Sequence, residues 1–201
     1  NVQVRLQEKD GKNRVELGDT VTIQAFVSTN HPDGLFGGRT HVNYTPESLS
    51  FAGDFVPADI VKNLGTFIQS GTLYDEEGRI EKIGGTRSPL GDPGVAYDEE
   101  VLFLEFSLTA EKLGLVEVSL EGGNFTVLGG SSTEKGDLPV YFENSLFFAV
   151  VEEGAAEPVQ PEFALALETE YSTGTRASEK AELILGMKDG ATFEEDEGLD
   201  S

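Results

Sequence analysis

The residues best suited to catalysis are few and scattered in this chain. It has two histidines, His31 and His41, and no cysteine, so a cysteine nucleophile, a thiolate metal site and an iron–sulfur cluster are excluded. A zinc site or a serine triad needs several side chains that converge, and the sequence has neither a Gly-x-Ser-x-Gly nor a His-Glu-x-x-His motif. The sequence therefore predicts a protein that is not an enzyme.

Clustered carboxylates suggest one metal, calcium, as the candidate cofactor. Acidic clusters occur at 75–77, 98–100 and 194–200, and none of them matches an EF-hand loop. A solvated charge run is the simpler interpretation of each cluster. The candidate calcium ligands are four carboxylates near the C-terminus: Asp189, Glu195, Asp196 and Asp200.

Aromatic side chains offer a second candidate chemistry, the stacking of sugars. The chain has no tryptophan, the residue that would serve this purpose best, and most of its phenylalanines and tyrosines fall at strand positions. Tyr74 and Tyr97 are the candidate carbohydrate-binding residues, with packing or rim positions as the alternative.

The charge balance restricts the partners. With 14 basic and 37 acidic residues, the net charge is −23, which argues against nucleic acid and against anionic membranes. No apolar run approaches the ~20 residues that a transmembrane helix needs, so we expect no membrane insertion. The longest run, at 146–151, suits a buried strand.

Period-2 alternation of apolar residues predicts that the first ~150 residues are all-β. The strongest segment is 101–108, in which alternate residues from Leu102 to Leu108 are expected to share one face. Gly122-Gly123 is interpreted as a break between two strands. In total the pattern predicts about nine short antiparallel strands, which favours a β-sandwich.

The composition changes after residue 151. Residues 152–162 read as an acidic linker rich in proline and small residues, and 163–201 as a tail with two strands. From residue 152 onward there are 14 acidic and 3 basic residues, so this part has a net charge of −11. Strands in the tail are candidates for addition to the edge of a neighbouring sheet. The candidate partner-binding residues are Phe163, Leu165, Leu167, Leu183 and Leu185.

Five pieces of sequence follow one another in a characteristic order: Gly18-Asp19 before an alternating strand, the Tyr-x-Pro-x-x-Leu-x-Phe segment at 44–51, the aliphatic-aromatic strand at 102–108, Gly114, and the strand at 116–120. On these pieces, residues 1–151 show a resemblance to the cohesin-type β-sandwich of secreted and cell-surface proteins. It implies a nine-stranded jelly-roll-like sandwich that binds another protein, such as a dockerin, through one sheet face.

Two functions follow as hypotheses. The first is a non-catalytic extracellular module for protein–protein assembly, whose partner is another protein or copies of itself joined into a filament by strand donation from the tail. The alternative is a carbohydrate-binding module of a secreted glycan-active protein. The chain begins at Asn1 without a basic-then-apolar leader, as a processed secreted protein or an excised fragment would.

Overall fold

The computed structural model describes residues 1–88, 93–127 and 136–155, together with the backbone of two short strands at 164–166 and 184–186. The chain divides into two compact units, Asn1–Ala155 and Ala156–Ser201. No helix within the described ranges has the length and apolar content that a membrane crossing requires.

The described part of the first unit contains thirteen strands, one helical turn and one 3-10 turn. The strands are β1 (Val2–Glu8), β2 (Arg14–Glu16), β3 (Thr20–Thr29), β4 (Gly37–Tyr44), β5 (Leu49–Phe51), β6 (Phe67–Gln69), β7 (Thr72–Tyr74), β8 (Arg79–Thr86), β9 (Val101–Ala110), β10 (Gly114–Val127), β11 (Gly136–Leu138), β12 (Val140–Phe142) and β13 (Leu146–Val151). The helical turn α1 is Pro57–Ile60, and the 3-10 turn is Asp75–Glu77. Six of the strands have only three residues, which is too short to show alternation by itself.

The strands form two sheets. One has five strands in the order β12-β1-β3-β9-β5, and the other has eight, with β2-β13-β10-β4-β8-β6 as its path and with β11 and β7 paired to β10 and β8. Most pairs are antiparallel, but β12 runs parallel to β1 and β2 runs parallel to β13. The first two strands of the chain thus pair with two of the last strands described in this unit, one pair in each sheet, and the all-β sandwich prediction is confirmed.

The core lies between the sheets and follows from the alternation of each long strand. In β3 every second residue from Val21 to Thr29 is buried, as the period-2 pattern predicts. At the centre the rings of Phe103, from β9, and Phe125, from β10, meet edge to face with centroids 5.2 Å apart. Both residues are fully buried, so one aromatic pair links the two sheets.

Two irregularities correct the sequence expectations. Leu102 does not share the buried face of Leu104, because a β-bulge at this point of β9 sets Leu102 opposite Phe26 and turns the extra residue, Phe103, into the core. Gly122-Gly123 does not separate two strands, since β10 continues through it with a bulge between Glu121 and Asn124. Alternation alone cannot reveal a bulge, because one inserted residue shifts the phase without changing the composition.

In the second unit, β14 (Ala164–Ala166) pairs antiparallel with β15 (Ile184–Gly186), and Leu165 lies opposite Leu185. These short strands confirm the two-stranded extension. The predicted boundaries at 151 and 162 stay predictions.

Candidate functional site

The outer face of the eight-stranded sheet exposes large apolar side chains, and we call it the aromatic face. Its four defining residues are Phe67 (60% exposed), Tyr74 (40%), Leu115 (73%) and Phe147 (57%). They share a face because directly paired residues do: Tyr74 pairs with Arg79, Leu115 with Ala149, and Phe147 with Glu117. Exposed aromatic residues that gather on one face mark interaction surfaces in many proteins.

Leu115 and Phe147 form the apolar end of the aromatic face. They stand diagonally across the pair of β10 and β13, where Leu115 faces Ala149 and Phe147 faces Glu117. Diagonal neighbours in a sheet lie about 7–8 Å apart, within reach of a phenylalanine ring. A partner that covered both side chains would therefore bury one continuous apolar patch.

Farther along the same face, two bulges flank His41 of β4. On one side β10 has an extra residue between Glu121 and Asn124, and on the other side β8 has an extra residue opposite the step from Thr40 to Val42. The resulting hollow, which we call the bulge pocket, is lined by Arg39, Thr40, His41, Lys82, Gly123 and Asn124. Bulges redirect the side chains beside them and are frequent next to functional sites.

The backbone of the bulge pocket requires glycine. Gly122 and Gly123 have φ values of +57° and +93°, in the left-handed region that favours glycine. A Cβ atom on Gly123 would lie 2.0 Å from the carbonyl oxygen of Arg39, so a side chain there would push β10 away from β4. The buried Thr40 hydroxyl donates a hydrogen bond of 3.1 Å to the carbonyl of Glu121, which ties the bulge to β4.

The two cations of the pocket lining, Arg39 and Lys82, have no carboxylate partner among the described residues. Arg39 donates its Nε to Asn124 at 2.6 Å, and neither Arg39 nor Lys82 takes part in an ion pair. The carboxylates of Glu81 and Glu121 are both held by Arg79, at 3.4 and 3.3 Å. The pocket is therefore locally basic in a strongly acidic protein.

The outer face of the five-stranded sheet, which we call the ladder face, is arranged differently. Its side chains bond to one another across β1, β3 and β9: Arg5 donates to Gln7 (2.9 Å), Gln7 to Gln24 (3.0 Å), and Gln24 to Glu105 (2.6 Å). Arg5 also makes a bidentate bond to Glu100 at 2.8 and 2.7 Å. The guanidinium lies 5.1 Å from the ring centre of Phe26, so this ring is covered by the cation.

These contacts lower the pKa values of two carboxyl groups on the ladder face, Glu100 and Glu105. Hydrogen bonds from Arg5 lower the pKa of Glu100 below its usual value, and its positive charge adds to the effect. The pKa of Glu105 is lowered mainly by the hydrogen bond from Gln24, with help from the Lys9 ammonium at 3.5 Å. Both carboxylates are thus held in the charged form.

One buried contact positions Tyr74 at the margin of the aromatic face. The Tyr44 hydroxyl donates a hydrogen bond to the Asp75 carboxylate, which also accepts one of 2.8 Å from the backbone N–H of Phe51. Burial first, and Asp75 second, raise the pKa of Tyr44 above its usual range, so the phenol stays a donor. This contact anchors the 3-10 turn that follows Tyr74.

The structure tests the placement of only some predicted site residues. Leu165 and Leu185 are brought opposite each other, whereas Phe163, Leu167 and Leu183 lie outside the described residues. The calcium candidates Asp189, Glu195, Asp196 and Asp200 also lie outside them. Within the ranges that are described, no group of three or more His, Asp or Glu side chains is arranged to hold a metal ion. The partner and calcium assignments stay predictions.

The two carbohydrate candidates lie on different sheets. Tyr74 belongs to the aromatic face, while Tyr97 pairs with Thr29 at the end of β3, in the five-stranded sheet. Both are exposed, at 40% and 48%. The fold does not bring them together as one platform, and their role in sugar binding stays a prediction.

The aromatic face was not found from the sequence. The run at 146–151 suggested a buried strand, yet Phe147 points outward and is 57% exposed, so the expectation is wrong for that residue. A strand that is apolar on both faces can be buried on both sides, or it can have one apolar face exposed to solvent. The second case holds here. No local pattern singles out Arg39 or Lys82, because they meet only through the pairing of β4 with β8.

Solved structures that are similar to this chain include cohesin modules. The seventh ScaB type I cohesin from Pseudobacteroides cellulosolvens superposes with a TM-score of 0.58 and 16% identity, over 78% of this chain and 96% of that one. A type II cohesin domain from the cellulosome of Acetivibrio cellulolyticus gives 0.57 and 11%, over 73% and 94%. The sixth cohesin of scaffoldin B from Acetivibrio cellulolyticus, in complex with a mutant Cel5 dockerin, gives 0.53 and 14%, over 76% and 99%.

Sequence comparisons add little to this. No family model matches the chain. A stretch of 73 residues is 36% identical to the DnaJ protein ERDJ2A of Arabidopsis thaliana, but the match spans 36% of this chain and only 11% of that protein. Because the match is so partial, the structural likeness decides the assignment: over most of its length, this chain has the cohesin fold.

Proposed function

We propose that this chain is a non-catalytic, extracellular protein-interaction module whose partner binds the aromatic face. The observation that carries the proposal is the exposure of the neighbouring Leu115 and Phe147 on one sheet surface, with Tyr74 and Phe67 exposed on strands farther across it. Residues of this kind supply most of the binding free energy at protein interfaces. The cohesin fold supports the proposal, since structures of that fold include complexes with dockerins.

A site-specific cross-linking experiment tests this placement. A photo-cross-linking amino acid is placed at position 147 or, as a matched control, at 141, because Tyr141 is equally exposed (55%) but lies on β12 of the other sheet. In extracts of the cells that produce the protein, and with purified dockerin modules, we expect a specific cross-linked product from position 147 alone. Equal products from both positions, or a product from 141 only, would contradict the proposal.

The second part of the proposal is self-assembly, with copies of the chain joined by strands of the C-terminal unit. It is supported by the presence there of β14 and β15, short strands within a separate compact unit, Ala156–Ser201, that has 12 acidic and 3 basic residues and so a net charge of −9. A strand added to the edge of a sheet gains backbone hydrogen bonds that do not depend on side-chain identity. The terminal strands of the two sheets, such as β5 and β6, are the candidate acceptors by position.

Truncation after Ala155 separates the two parts of the proposal. We measure molecular mass against concentration for the full and the truncated chain, each with and without calcium. Assembly that needs the C-terminal unit is expected to disappear on truncation, while cross-linking from position 147 to a different protein persists. Unchanged assembly after truncation would exclude strand donation, and a mass that is independent of calcium would exclude calcium as the link.

The carbohydrate alternative is tested on the same material. Retention on polysaccharide resins that is lost on Tyr74→Ala or Tyr97→Ala would favour it. We place it second, because the two tyrosines lie on separate sheets.

A further inference from the structure

The bulge pocket combines two β-bulges with backbone in the left-handed region. Both bulges lie beside one residue, His41, and three of the surrounding residues have positive φ: Lys82 (+55°), Gly122 (+57°) and Gly123 (+93°). Lysine adopts such a conformation at a cost, which the surrounding structure must offset. Strained backbone that surrounds a hollow is a frequent property of binding sites.

The donors of the pocket are available to a ligand. Arg39 uses only its Nε, on Asn124, so the two terminal nitrogens of the guanidinium make no further bond to described residues. The Lys82 ammonium makes none either, although its backbone N–H donates to Nδ1 of His41 at 3.3 Å. Because Nδ1 accepts this bond, the ring proton of neutral His41 sits on Nε2 as a further donor.

The local charge selects a ligand with a single negative charge. The lining itself carries two cations, Arg39 and Lys82, and the neighbouring strands carry Arg79 with the two carboxylates that it holds, Glu81 and Glu121. One positive charge is left over, which matches a carboxylate and is too little for a phosphate dianion. A guanidinium fork is also the side-chain geometry that suits a carboxylate best.

We propose that the bulge pocket binds a carboxylate side chain of an acidic peptide segment. That this segment belongs to the partner protein rests on the proposed function, because the pocket opens on the same face as Leu115 and Phe147. Six residues separate Leu115 from Glu121 along β10, so the pocket lies about 20 Å from the apolar end. A partner would place apolar side chains at one end and an acidic one at the other.

The probe is a short peptide with one carboxylate, acetyl-Ala-Glu-Ala amide, and its matched control is acetyl-Ala-Gln-Ala amide. Binding to the full chain is followed by NMR at the backbone amides of Lys82, Gly122 and Gly123. A protein with a net charge of −23 repels anions in general, so any saturable binding must be local. We expect saturable shifts with the glutamate peptide and at least tenfold weaker ones with the glutamine peptide.

Variants locate the binding. The double variant Arg39→Gln with Lys82→Gln is expected to weaken it at least tenfold, whereas Lys12→Gln with Lys112→Gln, which removes the same charge at exposed positions elsewhere, leaves it within twofold. Arg39→Lys, which keeps the charge but removes the fork, is expected to fall between them. This second variant keeps the test valid if the double variant disturbs the fold.

Four results would overturn the proposal: no saturable shift, equal shifts with the glutamine peptide, shifts that survive the double variant, or tighter binding of inorganic phosphate. The two proposals fail independently. A cross-link from position 147 without carboxylate binding removes only the pocket assignment. Carboxylate binding without that cross-link removes the aromatic face as the partner surface and leaves the pocket.

Discussion

The polar side chains of the ladder face bond to one another, whereas the aromatic face leaves its most interactive groups uncovered. On the ladder face, the series Arg5, Gln7, Gln24 and Glu105 is joined by hydrogen bonds of 2.6–3.0 Å, and Arg5 covers the ring of Phe26. On the aromatic face, Leu115 is 73% exposed and Lys82 lacks an ion-pair partner among the described residues. The polar groups of the ladder face are thus paired with one another, although Tyr141 is also exposed on that sheet, while Leu115 and Lys82 of the other sheet have no such cover.

This difference indicates which surface can gain from binding. A partner on the ladder face would have to break existing bonds or desolvate bonded groups, and little would be gained in exchange. A partner on the aromatic face removes apolar area from water at about 25 cal/mol per Å² and meets two cations, Arg39 and Lys82, that have no ion pair among the described residues. Polar side chains that bond to one another stabilise the fold, whereas exposed apolar side chains and cations without an ion pair are available to a partner.

The largest expected effect concerns the core that both faces share. Phe103→Ala is expected to lower the free energy of unfolding by about 3–5 kcal/mol, because it empties a fully buried site against Phe125. Chemical denaturation measures this, and the cross-link from position 147 should weaken as the folded fraction falls. A loss below about 1 kcal/mol would mean that the aromatic pair does not join the sheets.

The next largest effect concerns partner affinity, which should distinguish the aromatic face from the other sheet. Phe147→Ser is expected to weaken the partner's affinity about 30-fold, as for a central interface residue, while changing the free energy of unfolding by less than about 0.5 kcal/mol. Titration of the cross-linked partner and denaturation measure the two quantities. Tyr141→Ser is the control, since it removes a similarly exposed ring from the other sheet and should change neither. Equal losses of affinity in both variants would remove the distinction between the faces.

A smaller effect is expected on the ladder face, where a substitution should lower stability and leave partner affinity unchanged. Gln24→Ala removes the acceptor of the Gln7 amide and the donor to Glu105, so stability should fall by about 1 kcal/mol. Partner affinity should stay unchanged. A variant that lost affinity without losing stability would show that the ladder face also takes part in binding.

The smallest effect is a pH dependence of the ladder face. The pKa of Glu100 is lower in the folded protein than in the unfolded chain, so its contribution to stability is present above the unfolded value, about 4.3, and is lost as the pH falls through the folded value. Between pH 5 and pH 3 the protein should therefore lose slightly more stability than the Glu100→Gln variant. Because the pair with Arg5 is largely solvated, the difference is small, and an opposite sign would contradict the assignment.

The sequence predicted most of the fold and little of the site. Alternation located the long strands β3 and β9, and the segment at 44–51 with its neighbours indicated a cohesin-type sandwich. It missed short strands such as β7 and β11, since three residues cannot show a period. The site depended on which residues became neighbours across strands, and Arg39 and Lys82 are 43 positions apart.

The amino-acid pattern by itself determined that this chain forms an antiparallel β-sandwich with an acidic C-terminal extension, because alternating burial is a local property of each strand. The tertiary structure alone decided where the inward and outward alternation of side chains shifts by one residue, at Phe103 and at Gly122-Gly123. It also decided which outer face leaves apolar side chains and cations uncovered. The physical reason is that a bulge or a hydrogen-bonded ladder exists only between paired strands. The register between strands determines where bulges and ladders form, and it is fixed by contacts between residues that are far apart in the sequence.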